Sequence, residues 1–403
     1  MFVSVPAMLN DMTTLFRSGL LIIYPLVVLI YKPIDFKKYL TIVPLFLTTI
    51  IWYFISWQVN EQGYASFLFG AYGRNLGILA LIGLYLLTLE SADHFSERSE
   101  DLVKSFYLLL VLAITYGFIQ QLKLDPINWE KGSGYGSTLG NPNFSSALFG
   151  ILSVIPLTYY FKIKSYKRYI HLLAYALTLV LIFFSGSSQG FVLFLVNFFL
   201  IILFIKKDSF KTGVIKKLLI IFLTLIFVLV FLVLKISQFT FIKTFISNSL
   251  QIPQRLEHWE LGYRIWRDHP IFGVGLDNMQ RYSGEFRSLE MTAWGQYTLP
   301  DRAHNNLIDT FVSGGLVTGI LYCIFIFLVF RTIVRLYKKM DEGVIDKHHV
   351  YIFALVWITY FLQSMVSPDH LVITALGMMA AGALLGIDRL NQKNRSDIAK
   401  NNN

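Results

Sequence analysis

Charge is what this sequence has least of. Only 15% of its 403 residues are Asp, Glu, Lys or Arg, where a soluble domain carries about a quarter to cover its surface. A chain this poor in charge must turn much of its surface to lipid. Cysteine is nearly absent: Cys323 stands alone, inside an apolar run, which excludes a disulfide framework and a cysteine metal site. The N-terminus has no small-residue cleavage site of a secretory signal, so the first long apolar stretch reads as an uncleaved anchor. The net charge of +10 would suit nucleic acid, but the basic residues are scattered in short segments between apolar runs. That distribution excludes a nucleic-acid face and is the pattern of cytoplasmic loops.

Hydrophobic residues, in contrast, make up 55% of the chain, with a mean hydropathy of +0.56. Crossing the hydrocarbon takes about 20 apolar residues. Candidate spans are Tyr39–Trp57, Asn75–Glu90, Leu102–Leu122, Phe144–Phe161, Tyr169–Phe184, Gly190–Ile205, Leu218–Lys235, Asn306–Phe330, His348–Val366 and His370–Ile387, with a shorter Ser18–Tyr31 before them. The fold class expected is an all-α polytopic membrane protein with about 11–12 transmembrane helices and one large external helical loop. Residues 1–403 read as a single integral membrane domain, with the loop at 236–303 and a cytoplasmic tail at 388–403. An odd number of spans would place the N-terminus outside, and Met1–Arg17 reads as a shortened first helix.

Orientation follows from alternate loops. Lys32, Lys37 and Lys38, then Lys162 to Arg168, then Lys206 to Lys217, then Arg331 to Lys347, and finally Arg389 to Lys400 form the basic set. The alternate short loops have few cations, chiefly Arg74, Lys123 and Lys131. Basic loops stay in the cytoplasm, so the poor set faces outward. Among the outward segments, Lys123–Asn143 is rich in Gly, Asn and Pro. Ile236–Ala303 is far longer than an ordinary connection and contains Trp259, Trp266 and Trp294, which points to a functional loop. Gln254 to Asp268 reads as an amphipathic helix closed by Pro270, with Leu256, Trp259, Tyr263 and Trp266 at helical spacing. Such a helix suits the headgroup layer of a membrane lipid surface.

Ala303-His304-Asn305-Asn306 opens the span that follows the loop. Asn305 and Asn306 are good helix starters, and a helix N-terminus suits phosphate and favours a neutral histidine able to act as a base. An interfacial histidine that only ends the loop is the alternative, which the residues alone favour. Arg255 could grip phosphate through two parallel hydrogen bonds, or be a solvated charge beside Glu257. Charge does not single it out, because the loop's acids balance its cations, Arg302 included. Gly315 and Gly319 offer close approach for a helix or a lipid chain. Arg74 enters a span from an outward loop, where a cation needs a reason or must snorkel. Gly140-Asn141-Pro142-Asn143 makes a turn before a helix. The chain has no P-loop, no His-Glu-x-x-His, and no Asp-x-Asp near an outer loop; no metal site or cofactor is expected.

Together these blocks resemble the bacterial O-antigen ligase and O-antigen polymerase family of envelope glycosyltransferases. His304, Gly315 and Gly319 fit its pattern of His, ten residues, Gly, three residues, Gly or Thr. Arg255 with Trp259, then His269-Pro270-Ile271-Phe272-Gly273-Val274-Gly275, resemble its external loop. Leu139 to Phe144 resembles its Gly-Asn-Pro-Asn block, and Arg74-Asn75-Leu76-Gly77 its early arginine block. Trp259 stands where Leu is common, and Gln189 stands where relatives often have arginine. The resemblance implies metal-independent, inverting transfer of a glycan from undecaprenyl pyrophosphate to a sugar hydroxyl on a lipid core or another glycan. It implies His304 and Arg255 as catalytic residues, with Arg74, Arg302, Asn305, Gly315, Gly319, Asn141, Asn143 and Gln189 around the substrates. A transporter or flippase of lipid-linked sugars is the alternative, which predicts broken helices around a midplane polar site. A non-catalytic membrane partner protein is the other.

Overall fold

In lipid a backbone has no water to bond, so a chain with this few charges must satisfy its own peptide groups. It does so with helices. The computed structural model describes residues 12–71, 74–126, 139–205, 252–289, 291, 299–338 and 346–401, and among them there is no strand. The protein is an all-α polytopic membrane protein. Its helices are α1 (Met12–Tyr31), α2 (Val43–Val59), α3 (Tyr64–Phe69), α4 (Ile78–His94), α5 (Ser99–Gln121), α6 (Pro142–Leu152) and α7 (Val154–Lys162). There follow α8 (Arg168–Ser185), α9 (Ser188–Ile205), α10 (Ile252–Asp268), α11 (Met279–Phe286), α12 (Asn306–Lys338), α13 (Lys347–Ser364) and α14 (Leu371–Asn401).

Every span expected from hydropathy falls on one of these helices except Leu218–Lys235, which lies outside the described residues. Among the described residues, Ser99–Gln121, Pro142–Lys162, Arg168–Ser185, Asn306–Lys338 and Leu371–Asn394 are long and apolar enough to cross a membrane alone. Gly19–Tyr31, Val43–Val59 and Ser188–Phe204 are shorter apolar helices. Of the segment 388–403, residues up to Asn401 continue α14 as helix. Within the loop at 236–303, residues 236–251, 290 and 292–298 lie outside the described residues.

The described residues gather into two compact units. One contains α1 to α4, the loop helices α10 and α11, α12, and α14. Here α14 lies along α4 because both are notched: a Cβ on Gly382 would meet the Thr88 carbonyl oxygen at 2.1 Å, and one on Gly386 the Ala92 carbonyl at 2.0 Å. Small residues one turn apart let the two backbones touch, the usual solution for helices that lipid does not push together.

The other unit contains α5 to α9 and α13. Asn141 caps α6 by accepting from the Asn143 N–H (2.8 Å), and Pro142 sits at the first helical position, where its missing donor costs nothing. The Gly-Asn-Pro-Asn block is thus a helix start. Between α6 and α7 the helix is interrupted at Ser153. The buried Asn197 amide of α9 donates to the carbonyls of Gly150 (2.8 Å) and Ile151 (3.1 Å) beside the interruption. Gln189, in the first turn of α9, is buried, and its neighbour Gly190 donates its N–H to Ser146 Oγ (3.2 Å).

Candidate active site

The loop helix α10 owes its position to a wide apolar face. Leu261 and Ile265 are buried in a cluster with Val274, Met279, Met291, Ala303 and Val312, joined by Trp266, Tyr282, Phe286 and Ile308. Leu256 and Tyr263, on the helix's other flank, are exposed. The amphipathic pattern therefore serves the protein's own core first, and only Leu256 and Tyr263 are left for a headgroup layer. Gly262 allows this packing, since a Cβ there would meet Ile308 Cγ2 at 2.7 Å. Docked this way, α10 carries Arg255 and, one turn on, His258 to the residues just before α12.

Those residues are held by a series of polar ties. Arg302 is buried in an ion pair with Asp277, whose other carboxylate oxygen accepts the Ala71 N–H at 2.7 Å. Asp277 thereby ties the turn that leads to Arg74 to the segment that leads to His304. Burial pushes the Arg302 guanidinium down. Asp277, Asp309, Asp369 and Asp301 outweigh it and hold Arg302 above its ordinary value. The Ala303 N–H donates to Asp309 Oδ1 (2.7 Å). Asn305 caps α12, its side-chain oxygen accepting from the N–H groups of Leu307 (3.0 Å) and Ile308 (3.2 Å). Between these ties His304 has φ +57°, a left-handed conformation uncommon outside glycine.

Around the His304 ring the loop converges. His258 lies with its ring centroid 4.8 Å away, tilted by 60°. Burial lowers His304, and His258, Arg74 and Arg255 lower it further against Asp301, leaving it at about 3. Its neutral form thus comes from burial and the neighbouring cations. Arg74 Nε donates to Asp301 Oδ2 at 2.5 Å. Burial pushes the Asp301 carboxyl up, but this bond, with the charges of Arg74, Arg302 and His304, holds it below its ordinary value. Burial also lowers His258 and Arg255. Arg74, Arg255 and His304 are thus brought within electrostatic reach of one another. His258 and Asp301 join them, and neither was expected at the site. His258 could have been found by its position three residues after Arg255 on one helix; Asp301 had no sequence signal beyond lying three residues before His304.

The remaining expected residues take other places. Arg302 faces inward on carboxylates, so its direct contact with substrate gives way to holding the loop. Gly315 has φ +72° and ψ −160° and breaks α12. The groups the break frees are taken by the His269–Gly275 block: Val274 N–H donates to the Val312 carbonyl (2.8 Å), Gly275 N–H to that of Ser313 (3.0 Å), and Leu316 N–H to that of Pro270 (2.8 Å). Trp52 Nε1 donates to the Gly314 carbonyl (2.8 Å). A Cβ on Gly315 would meet the Ile271 carbonyl oxygen at 2.1 Å, and one on Gly319 the Phe311 ring at 2.3 Å. The space beside both glycines is filled by the chain itself, which makes them packing positions. Asn141, Asn143 and Gln189 lie in the other compact unit. Among the described residues no group of three or more His, Cys, Asp or Glu could hold a metal ion.

No curated protein matches the chain. A family model described as O-antigen ligase does match it, over residues 173–323. That stretch contains Gln189, Arg255, the His269–Gly275 block, His304, Gly315 and Gly319, so the resemblance read from the sequence is borne out: across residues 173–323 this chain is similar to the O-antigen ligase family.

Proposed function

We propose that the protein is a membrane glycosyltransferase that moves a glycan from undecaprenyl pyrophosphate to a sugar hydroxyl, on the external face of the bacterial inner membrane. The observation that carries this reading is the convergence of Arg74, Arg255 and His304 within the segment joined by Asp277 and Arg302. Two guanidiniums beside a neutral imidazole suit a reaction in which a hydroxyl loses its proton while a pyrophosphate leaves. His304 takes the acceptor proton, and Arg255 and Arg74 balance the charge that grows on the pyrophosphate. The leaving group is already activated, so positioning and electrostatics suffice without a metal, and attack opposite the leaving group inverts the anomeric centre. Asn305 fixes the N-terminus of α12 behind His304. Roles for Asn141, Asn143 and Gln189 at the substrate rest on the family resemblance alone.

The transporter alternative predicts a broken helix, and α12 is broken at Gly315. The carbonyls released there are already bonded by backbone N–H groups and by Trp52, which leaves them poor ligands for cargo or a coupling ion. An enzyme is favoured for that reason.

The test is transfer in vitro from a lipid-linked oligosaccharide, offering either a lipid-core sugar or a second donor as acceptor. Replacing His304 or Arg255 by Ala should each lower kcat/KM by about 100-fold or more. A chelator should leave the rate unchanged. Product formed at wild-type rate by both variants would overturn the roles assigned here, and loss of activity with chelator would overturn the metal-free step. The acceptor that is consumed separates ligase from polymerase.

A further inference from the structure

We propose that His258 is the proton-holding partner of His304, receiving through it the proton that the acceptor hydroxyl gives up. The inference rests on the transferase reading of this site. Its geometry is independent of that reading: the two rings are 4.8 Å apart between centroids, and His258 Nδ1 is buried with no hydrogen-bond partner. A buried polar atom left without a partner carries a desolvation cost that native proteins usually avoid. His304 is the ring the structure places beside it.

The surroundings give the pair a direction. His304 is faced by Arg74 from the turn before α4, by Arg255 and His258 from α10, and by one carboxylate, Asp301, on its own segment. A proton placed on it sits beside two guanidiniums. His258 is faced by Asp301 from the segment before α12, and by Glu257 and Arg255 on its own helix. A cation there has two carboxylates and only one guanidinium as neighbours. The proton of the acceptor hydroxyl goes first to a ring nitrogen of His304. The acceptor oxygen bonds to the anomeric carbon, and the bond from that carbon to the pyrophosphate breaks, leaving its electron pair on the phosphate oxygen. His304 then passes the proton to His258. From there it is released to water or to the departing pyrophosphate, and both rings return to neutral.

The experiment uses the full chain in detergent with 15N-labelled histidine, following the imidazole signals against pH, alongside transfer kinetics. In the wild type, His258 and His304 should titrate as a coupled pair in two steps. His258→Gln should turn the His304 titration into a single, shifted step. It should lower kcat about tenfold or more at neutral pH with donor KM unchanged, and move the acid limb of the rate profile. His258→Asn serves as a second variant should Gln disturb folding. Independent single-step titrations in the wild type would overturn the proposal, and so would an unaltered pH profile in a folded variant. If wild-type protein made no product from any lipid-linked donor while the two histidines still titrated together, the pairing would stand and the transfer reading would fall.

Discussion

At the scale of single residues the site is a contest between burial and neighbouring charge, and Asp301 shows how it is decided. Burial alone would make its carboxyl harder to ionise, yet the Arg74 hydrogen bond and the surrounding cations depress it. A depressed carboxylate contributes stability that is complete above its unfolded value of about 4 and lost as pH falls through the lower folded value. At neutral pH the Arg74–Asp301 pair is therefore fully formed, and Asp301→Asn should lower the melting temperature there. The difference from wild type should begin to shrink below about pH 4, where the unfolded-state carboxylate takes up protons, and vanish as the folded carboxylate follows at lower pH. His304 gives a second, kinetic signature. Burial and the adjacent cations hold it at about 3. Since kcat/KM reports the free enzyme, its acid limb should not track an ordinary histidine near 6.5 but fall well below it. A limb at about 6.5 would place the rate-determining base elsewhere. The sequence pointed to His304 and Arg255 through the family resemblance, which raised both above the reading the residues alone favoured, and to Arg74 because a cation where a loop enters a span is costly. It did not point to His258 or Asp301, whose contributions depend on contacts across the loop. It did not show that Arg302 is buried against Asp277, since a lone arginine looks the same whether it faces solvent or a buried carboxylate.

Among the elements, α12 carries the most consequence, because its break and its cap fix the segment that bears His304. The run from Asn306 to Phe330 is predominantly apolar, so hydropathy describes one continuous span and hides the interruption at Gly315. The glycine was visible, but its φ of +72° was not, since that conformation is imposed by the His269–Gly275 block wedged against Val312 to Leu316. The family pattern of His, Gly and Gly thus has a physical content different from substrate contact: one glycine admits the loop backbone and the other admits the Phe311 ring. Gly315→Ala places a Cβ 2.1 Å from the Ile271 carbonyl oxygen in a backbone region that L residues avoid. It should cost about 2 kcal/mol or more in stability, read as a lower melting temperature in detergent. Transfer should fall further than stability alone requires if the ties from Val274 and Gly275 to α12 help to position the segment before it. A variant with wild-type melting and wild-type rate would show that the break is dispensable. In α10 the amphipathic period correctly marked a helix. Which flank it buries could not be read, because Leu261 and Ile265 look no more apolar than Leu256 and Tyr263.

For the whole molecule, the distribution of cations argues which side the site faces. Lys162, Lys164, Lys167 and Arg168 join α7 to α8, and Arg331, Arg335 and Lys338 close α12. In contrast, the loop carrying Arg255 has as many acids as bases. Loops retained in the cytoplasm are the basic ones, and the proposed reading therefore puts α10 and His304 on the external face. On that proposal cytoplasmic nucleotide sugars are out of reach, which is why the proposed donor is one already linked to lipid. Cys323 is exposed on α12 and is first replaced by Ser to give a cysteine-free background. Leu289→Cys, at an exposed position of the loop, and Lys393→Cys, at an exposed position near the end of α14, are then introduced singly. A membrane-impermeant maleimide added to cells whose outer envelope is permeabilised should label position 289 at once. It should reach position 393 only after the inner membrane is opened. The reverse order would put the site in the cytoplasm and remove the basis for a lipid-linked donor; labelling of both positions before lysis would place α12 and α14 differently from the topology argued here.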